Sequence, residues 1–294
     1  MKILVLGAHG RLGASLLSAW DGKHEVRGMV RPTLDVADSA GLRAQLTAET
    51  YDVLLNATGA TNVDRCESEP QEAQQVNVEA PRIMAEVSRD KGARLVHFST
   101  DYVFDGEAEQ PYDEESDARP LGVYGETKRA GERAVLAVDP HHVIMRVSWV
   151  FGPSKASFPD AIIAKARTHS RVEAIADKFS SPTSAEDIAT WLTPFFDPQA
   201  PGGLYHACNA GACSWQEYGS FALTCAREAG VALATHDVHA SLLADMVAFI
   251  APRPRYSVLS TAKLTRVTGI TPRHWRDALR HYLLKKYAPI PPIA

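Results

Sequence analysis

Several features that would define a protein class are missing from this sequence. Its four cysteines have no CxxC spacing, which favours reduced cysteines in a cytoplasmic protein over disulfides. No apolar run approaches the roughly 20 residues of a membrane helix, and the opening apolar run is too short for a signal peptide. Lys and Arg number 31 against 35 Asp and Glu, a formal charge of −4, so the charge offers no basis for binding a nucleic-acid backbone. We therefore expect no metal, no membrane and no nucleic-acid partner.

What the chain does contain is an alternation of apolar strands and amphipathic helices. Its 294 residues are 45% hydrophobic and 22% charged, which is typical of a globular protein with one large or two modest domains. Predicted strands cover residues 2–6, 24–30, 52–57, 94–98 and 143–147, with helices between them. Continuous apolar strands separated by helices predict an α/β fold, here a Rossmann-type doubly wound parallel sheet with a smaller mixed α/β domain.

A glycine-rich turn follows the first predicted strand. Gly7, Gly10 and Gly13 form a GxxGxxG pattern ahead of a helix that begins near Leu12. Glycines at this position let the backbone approach a pyrophosphate, and the helix N-terminus supplies free N–H groups and a positive dipole end. The pattern predicts a dinucleotide-binding loop. The commonest fingerprint is GxGxxG, however, and a purely structural turn is the alternative.

The end of the second predicted strand bears on the choice of dinucleotide. An acid there would hold the ribose 2′-hydroxyl of NAD, whereas an arginine accommodates the 2′-phosphate of NADP. The strand ends at Arg31, which favours NADP, with NADH as the alternative. Asp35 is the competing candidate and is expected nearer the adenine edge. A solvated surface arginine is the other interpretation of Arg31.

Two further segments carry groups for proton transfer. Tyr124 and Lys128 are four residues apart, so they lie on one face of a predicted helix. A cation beside a tyrosine stabilises the phenolate, so such a pair can move a proton on and off a carbonyl oxygen. The pair alone is common by chance, and a solvated helix face explains it equally well. Ser99, Thr100 and Asp101 follow the strand at 94–98, at the edge where open α/β sheets place their ligands.

The segments together resemble a known family. The resemblance is carried by the glycine loop, by the run from Asp64 to Pro70 that leads to Val76-Asn77, by Ser99 to Gly106, and by Val123 to Lys128 with Gly131-Glu132. These segments are similar to those of the extended short-chain dehydrogenase/reductases, and within them to the dTDP-4-dehydrorhamnose reductases. The similarity spans most of the chain, and the last two segments are highly specific together.

The resemblance implies an NAD(P)H-dependent oxidoreductase that reduces the 4-keto group of a nucleotide-linked deoxysugar, dTDP-4-dehydrorhamnose giving dTDP-rhamnose. Tyr124 would protonate the C4 oxygen, Lys128 would hold the nicotinamide ribose and lower the tyrosine pKa, and Thr100 would hydrogen-bond the carbonyl. Residues 1–152 would form the dinucleotide-binding domain and residues 153–294 mainly the substrate-binding domain, with parts near 183–208 returning to the sheet. A homodimer is a further expectation.

The implied binding residues fall into two groups. The cofactor, NADPH or alternatively NADH, would be bound by Gly7, His9, Gly10, Arg11, Leu12, Arg31, Asp35, Val36, Ala57, Thr58, Gly59, Ser99, Tyr124 and Lys128. The sugar substrate would contact Tyr102, Phe104, Trp149 and Arg253. No metal ligands are expected.

The substrate half departs from the family pattern. The chain has Pro252-Arg253 where the family usually has paired arginines, Tyr256 where it tends to have a small amide, and Ser180-Ser181 where glycine-alanine is more usual. These differences leave open a ketoreductase or epimerase that acts on another substrate. A second alternative is an NADP-binding regulatory subunit resembling that of methionine adenosyltransferase, although the intact Thr100, Tyr124 and Lys128 argue against it.

Overall fold

A computed structural model describes residues 1–31 and 33–287 of the chain. The strands are β1 (Lys2–Leu6), β2 (Glu25–Met29), β3 (Val53–Asn56), β4 (Arg94–Thr100), β5 (Val143–Val147), β6 (Val150–Phe151), β7 (Val172–Ile175), β8 (Phe179–Ser180), β9 (Thr183–Ser184), β10 (Gly203–His206), β11 (Cys213–Ser214) and β12 (Val238–Ser241). The helices are α1 (Arg11–Trp20), α2 (Ser39–Ala48), α3 (Val63–Ser68), α4 (Pro70–Gln74), α5 (Ala80–Asp90), α6 (Val123–Val138), α7 (Phe158–Ala166), α8 (Ala185–Leu192), α9 (Trp215–Glu228), α10 (Ala262–Thr268) and α11 (Trp275–Tyr287).

Six parallel strands form the central sheet in the order β10-β5-β4-β3-β1-β2. Strand β1 pairs with β2 on one side and with β3 on the other, so the chain reverses its direction of winding there. Open α/β sheets bind ligands at such a switch point, outside the carboxyl ends of the strands. The predicted fold class is confirmed, and the edge near Leu6 and Asn56 is where a ligand site is expected.

Helices cover both faces of the sheet, as the continuous apolar strands require. Leu16 and Trp20 of α1 pack on one face together with Ile188 and Leu192 of α8. The opposite face is covered by α2, α5 and α6 through buried side chains that include Leu42, Leu46, Ile83, Met84 and Val135. Full burial of each of these side chains contributes about 1.5–3 kcal/mol, so the sheet is held rigidly from both sides.

The second half of the chain divides between this sheet and a smaller unit. Helix α8 and strand β10 join the layers of the main sheet, where Gly203–His206 extends the edge beside β5. Helices α7, α9 and α11 pack around a separate core that contains Tyr218, Trp275 and Leu279. Short two-stranded pairings, β6 with β9, β7 with β12 and β8 with β11, border that core. In the part of the chain that the structure describes, no helix has both the length and the apolar character needed to cross a membrane.

Candidate active site

The glycine loop adopts the close geometry expected of a dinucleotide-binding turn. Gly7 has φ +77°, and a Cβ there would lie 2.7 Å from the carbonyl oxygen of Ala57. A Cβ on Gly13 would lie 2.3 Å from the Gly7 carbonyl oxygen, so α1 could not approach the end of β1 with any larger residue. Gly10 precedes α1 directly, which leaves the first N–H groups of the helix free at the cleft. The loop can therefore bring backbone donors against a pyrophosphate.

A cleft of about 720 Å³ opens in front of this loop, along the carboxyl edge of β1, β2 and β3. Of the residues predicted to bind cofactor, it is lined by Gly7, Gly10, Arg11, Leu12, Arg31, Val36, Ala57, Thr58 and Gly59. His9 is exposed beside the loop and Asp35 is turned to the surface, and neither lines the cleft. That these two residues bind the cofactor stays a prediction.

Arg31 and Asp35 form an exposed ion pair at the rim of the cleft. The Arg31 guanidinium lies 3.0 Å from an Asp35 carboxylate oxygen, and the Arg31 side chain is 64% exposed. The Asp35 carboxylate also accepts a hydrogen bond from the Ala37 N–H. Asp35 thus serves as a partner of Arg31, and Arg31 is the cationic group at this end of the cleft.

The Arg11 side chain is committed to a structural role. Its guanidinium donates to the carbonyl oxygens of Val150, Lys155 and Ala156 at 3.3, 3.4 and 2.7 Å. These bonds tie the first turn of α1 to the segment between β6 and α7. Arg11 therefore contributes to the cleft by fixing its far wall, while the cationic Lys155 lines the same wall.

Lys128 is buried behind Gly59, which lines the cleft. Its ammonium group donates to the carbonyl oxygen of Phe98 at 2.6 Å and lies 3.3 Å from Nε2 of His97. A Cβ on Gly59, which lines the cleft, would be 4.0 Å from Lys128 Nζ. Burial lowers the pKa of Lys128 to about 8, against the opposing effect of the Glu132 carboxylate. The lysine can thus exchange a proton near neutral pH.

Tyr124 lies one helical turn before Lys128 and is 9% exposed. Its ring packs edge-on against Tyr102, with centroids 5.5 Å apart, and contacts Cys66 and Ala73. Burial raises the pKa of Tyr124 well above its usual value, with the Thr100 side chain acting in the other direction. The sequence predicted that Lys128 lowers the pKa of Tyr124, whereas the pKa is raised overall. The phenol therefore stays protonated at neutral pH and can donate a proton.

Thr100 is held by a buried polar network. Its hydroxyl accepts the Tyr102 N–H at 3.2 Å and donates to the Asp101 carboxylate, also at 3.2 Å. Asp101 accepts two more hydrogen bonds, from Ser180 and Ser257 at 2.9 and 2.5 Å. This network orients the Thr100 hydroxyl beside Tyr124 and connects the end of β4 to the second half of the chain.

Asn77 fixes the catalytic helix against the loop after β3. It lies in a single π-helical turn, Gln75–Glu79, which interrupts the predicted helix at 70–91. Its amide donates to the Ala60 carbonyl oxygen and to Thr127 Oγ1 at 3.1 Å each, and accepts the Ala60 N–H at 2.9 Å. Such turns cluster at functional sites, and here the turn aims one amide at two elements of the site. A turn with one extra residue leaves no mark in apolar periodicity.

The predicted substrate residues are dispersed. Tyr102 borders Tyr124, and both line a narrow cavity of about 10 Å³ together with Pro252 and Pro254. Trp149 has φ +42°, its indole N–H is buried without a hydrogen-bond partner among the described residues, and its ring lies beside Trp215.

Phe104 does not reach the site. It is fully buried, with its ring stacked on Tyr112 at 4.1 Å and the Arg146 guanidinium above it at 5.0 Å. The prediction that Phe104 contacts substrate is therefore not supported, because an aromatic residue after the strand end packs equally well into a core.

Arg253 is close to the site but already paired. Its guanidinium forms a two-point ion pair with Asp64, at 2.9 and 2.7 Å, and its side chain is 7% exposed. The ring of Phe249 lies 3.9 Å from the same guanidinium. The pair ties α3 to the 250–253 segment that passes over Tyr124.

Lys178 is a site residue that sequence reasoning missed. It is fully buried, donates to the Pro254 carbonyl oxygen at 2.8 Å, and lies 4.9 Å from the centre of the Tyr102 ring. Burial lowers the pKa of Lys178 to about 8, against the opposing effect of the Asp101 carboxylate. Its adjacency to the altered Ser180-Ser181 segment was the one signal in the sequence that could have identified it.

The glycine-cradled cleft at the switch point, with a buried tyrosine and lysine next to residues that line it and a threonine beside the tyrosine, defines an oxidoreductase of the extended short-chain dehydrogenase/reductase class. A family model described as the RmlD substrate binding domain matches residues 1–288. The chain belongs to the dTDP-4-dehydrorhamnose reductase family of that class, as the sequence resemblance predicted.

Relatives and solved structures show how far the similarity extends. The dTDP-4-dehydrorhamnose reductase of Streptomyces griseus is 38% identical over 285 residues, 94% of this chain and 91% of that protein. A probable dTDP-4,6-dihydroxy-2-methyloxan-3-one 4-ketoreductase of Streptomyces antibioticus is 34% identical over 285 residues, 95% of this chain and 94% of that protein. The crystal structure of dTDP-4-dehydrorhamnose reductase from Bacillus anthracis str. Ames in complex with NADP has a TM-score of 0.89 and 25% identity, and covers 97% of this chain and 99% of that one.

Proposed function

We propose that this chain uses NADPH to reduce the 4-keto group of a nucleotide-linked deoxysugar, with dTDP-4-dehydrorhamnose as the substrate and dTDP-rhamnose as the product. The observation that carries the proposal is the placement of Tyr124 and Lys128, which lie buried on one face of α6. They adjoin Cys66 and Gly59, two residues that line the glycine-cradled cleft. The names of the relatives in Streptomyces griseus and Bacillus anthracis support the same substrate.

The residues of the cleft fit a dinucleotide. Gly7 and Gly13 leave room that a Cβ would fill, and the start of α1 offers free N–H groups to a pyrophosphate. Lys128 would hold the ribose next to the nicotinamide, and Arg31 would hold the 2′-phosphate. The bound cofactor supplies the hydride.

The protein's own contribution is to bind, orient and protonate. Tyr124 would donate its proton to the C4 oxygen, since its raised pKa keeps the hydroxyl protonated. Thr100 would donate to the same oxygen once its hydroxyl hydrogen, which points to Asp101 in this structure, turned towards the substrate. Lys128 would then return a proton towards Tyr124, which its pKa of about 8 permits near neutral pH. Arg253 would bind the diphosphate of the substrate in exchange for the Asp64 carboxylate.

A screen of cofactor consumption tests the proposal. Purified protein is mixed with NADPH or NADH and a panel of 4-keto nucleotide sugars, and the absorbance of the reduced nicotinamide is followed. We expect a loss of absorbance with dTDP-4-dehydrorhamnose. No turnover with any sugar of the panel and either nicotinamide would refute the proposed activity.

A ketoreductase for another nucleotide-linked sugar is the second candidate. The relative named a probable dTDP-4,6-dihydroxy-2-methyloxan-3-one 4-ketoreductase favours it, as does the buried Lys178 next to the altered Ser180-Ser181 segment. Under this reading the same panel would show preferential turnover of a different ketone. An NADP-binding regulatory subunit would instead bind NADPH with no turnover of any sugar and would retain a synthetase partner in a pull-down.

The proposal includes a cytoplasmic location and a homodimeric assembly. The four cysteines are all free and buried, which suits work in a reducing compartment such as the cytoplasm. A homodimer is predicted from the family resemblance alone, and the mass of the protein in solution tests it.

Arg31 is predicted to set the preference for NADPH. Replacing it with alanine should weaken NADPH binding by roughly tenfold and leave NADH binding within about twofold, because only the 2′-phosphate loses a charged partner. Titration of each reduced nicotinamide by fluorescence measures both affinities. Arg43→Ala is the matched control, since Arg43 is an exposed arginine paired with Glu86 and does not line the cleft. Equal weakening of both nicotinamides by Arg31→Ala would contradict the assignment.

A further inference from the structure

A buried histidine lies behind the catalytic lysine. His97 on β4 and Asn56 on β3 are direct cross-strand partners, and both side chains are fully buried. Nδ1 of His97 lies 2.9 Å from the Asn56 amide nitrogen, and Nε2 lies 3.3 Å from Lys128 Nζ. Neither His97 nor Asn56 was singled out by the sequence pattern, and neither takes part in the proton transfers described above.

The backbone decides which way the Asn56 amide points. The Thr58 N–H, which can only donate, lies 3.0 Å from Oδ1 of Asn56, and the Thr58 hydroxyl also donates to that oxygen at 2.5 Å. The amide oxygen is therefore turned towards Thr58, and the amide N–H₂ is turned towards His97. If the Asn56 amide were flipped, its N–H₂ group would face the Thr58 N–H, and two donors would oppose each other.

The orientation of Asn56 in turn fixes the proton on His97. Because Asn56 presents a donor, Nδ1 of His97 must be the unprotonated, accepting nitrogen. A neutral imidazole then carries its proton on Nε2, the nitrogen that faces Lys128. A doubly protonated ring would oppose N–H groups at both nitrogens, and burial together with the nearby Lys128 charge lowers the pKa of His97 well below its usual value.

We propose that His97 is a positioning residue for Lys128: held by Asn56 in the Nε2–H tautomer, it donates to the lysine nitrogen and stabilises the neutral amine. A hydrogen bond to the neutral form of a base favours that form. The ammonium form, by contrast, would place its own N–H groups against another donor. A lysine closer to neutrality gives up its proton more readily, which is the property that returning a proton to Tyr124 requires.

Among the described residues, four titratable groups surround the Lys128 amine, in addition to the Phe98 carbonyl oxygen that accepts its N–H. Tyr124 and Glu132 lie one helical turn away on α6, Cys66 lies on α3 and His97 lies on β4. The Glu132 carboxylate favours the ammonium form, but its charge is matched by a two-point pair with Arg146. Burial acts in the same direction as the His97 donor, so the two together bring the pKa of the lysine towards the working range of an enzyme.

The tautomer can be observed directly, without any substrate. In protein labelled with nitrogen-15 histidine, long-range proton–nitrogen correlation spectra separate Nε2–H from Nδ1–H rings and from cationic rings. We expect the Nε2–H pattern for His97, assigned by its disappearance in His97→Phe. An Nδ1–H or a cationic His97 would overturn the proposal. The tautomer itself is measured in the wild-type protein, so the proposal stays testable if His97→Phe does not fold. In that case the His97 signals are assigned by their shift in Lys128→Met or Asn56→Asp.

The catalytic consequence rests on the proposed reductase function and is tested by pH dependence. Activity that needs a protonated Lys128 falls as pH rises through its pKa, and removing the His97 donor raises that pKa. His97→Phe should therefore move the alkaline limb of kcat to higher pH by roughly one unit. His142→Phe is the matched control, because His142 is a buried histidine whose two ring nitrogens hydrogen-bond to the backbone of Leu95 and Ala85.

The outcomes separate the two proposals. If the alkaline limb of the kcat profile does not move in His97→Phe, as it should not in His142→Phe, the role of His97 is refuted. This holds even if both variants lose stability. A limb that moves only in His97→Phe supports it. If no keto sugar is reduced at all, the proposed function fails, whereas the tautomer of His97 still decides the proposal for His97.

Discussion

Tyr124→Phe should lower kcat for sugar reduction by roughly 10²- to 10⁴-fold, which is the usual contribution of general acid catalysis. The substitution removes one hydroxyl from a ring that stays packed against Tyr102 and Cys66, so the fold and the cleft should be kept. NADPH affinity should change by less than about threefold, since that cleft is lined by other residues. Steady-state kinetics and a fluorescence titration of NADPH measure the two quantities.

Tyr51→Phe is the matched control for that substitution. Tyr51 is also a buried tyrosine, but it packs in the core beneath α2 and α5 and does not line the cleft. Its hydroxyl has no hydrogen-bond partner among the described residues, so its loss should leave kcat unchanged. If Tyr124→Phe retained activity at the level of this control, Tyr124 would not be the proton donor.

The second large effect is on stability. Arg146→Met should lower the free energy of unfolding by about 3–5 kcal/mol, because it leaves the buried Glu132 carboxylate without its partner. The two side chains are each 5% exposed and are joined by two hydrogen bonds of 2.8 and 2.7 Å. This pair fastens the catalytic helix α6 to β5. Urea unfolding followed by circular dichroism measures the loss.

An exposed pair and a double variant serve as controls for this prediction. Arg82→Met breaks surface pairs with Glu79 and Glu86, where the arginine is 39% exposed, and should cost about 1 kcal/mol or less. Replacing both members of the buried pair, Arg146→Met with Glu132→Leu, should recover most of the stability, since no buried charge is then left alone. A small effect of Arg146→Met alone would contradict the account.

The local features of the site could be predicted from the sequence. The spacing of the three glycines and their position between an apolar strand and a helix predict the dinucleotide-binding loop. Both signals are encoded within about fifteen residues. The pairing of Tyr124 with Lys128 follows from helical geometry alone. Such predictions succeed where the sequence separation of the interacting groups is small.

Other features depend on the direction of a side chain or on distant contacts. Asp35 and His9 are both exposed and Asp35 pairs with Arg31, so their part in cofactor binding stays a prediction. Phe104 is apolar and near the strand end, so only its packing against Tyr112 and Arg146 shows that it belongs to a core. The role of Arg253 depends on Asp64, which lies 189 residues away in the chain.

The buried polar groups around the site are the hardest to foresee. Lys178 can carry a charge, yet it is buried beside the Tyr102 ring. It donates a hydrogen bond to the Pro254 carbonyl oxygen, and the Asp101 carboxylate stabilises its charged form. His97 stands in an apolar strand, where a satisfied core histidine is the default interpretation. Its relation to Lys128 follows only from the chain of contacts through Asn56 and Thr58, which spans three separate elements.

The transfer of deuterium from labelled cofactor tests the central claim most directly. NADPH carrying deuterium at the transferable position of the nicotinamide is incubated with the protein and dTDP-4-dehydrorhamnose, and the product is examined by NMR. The account predicts deuterium bound to C4 of the sugar and a new hydroxyl at that carbon, with the rate of this transfer lowered by roughly 10²- to 10⁴-fold in Tyr124→Phe. A product with no deuterium at C4, or oxidation of NADPH without any change in the sugar, would contradict it.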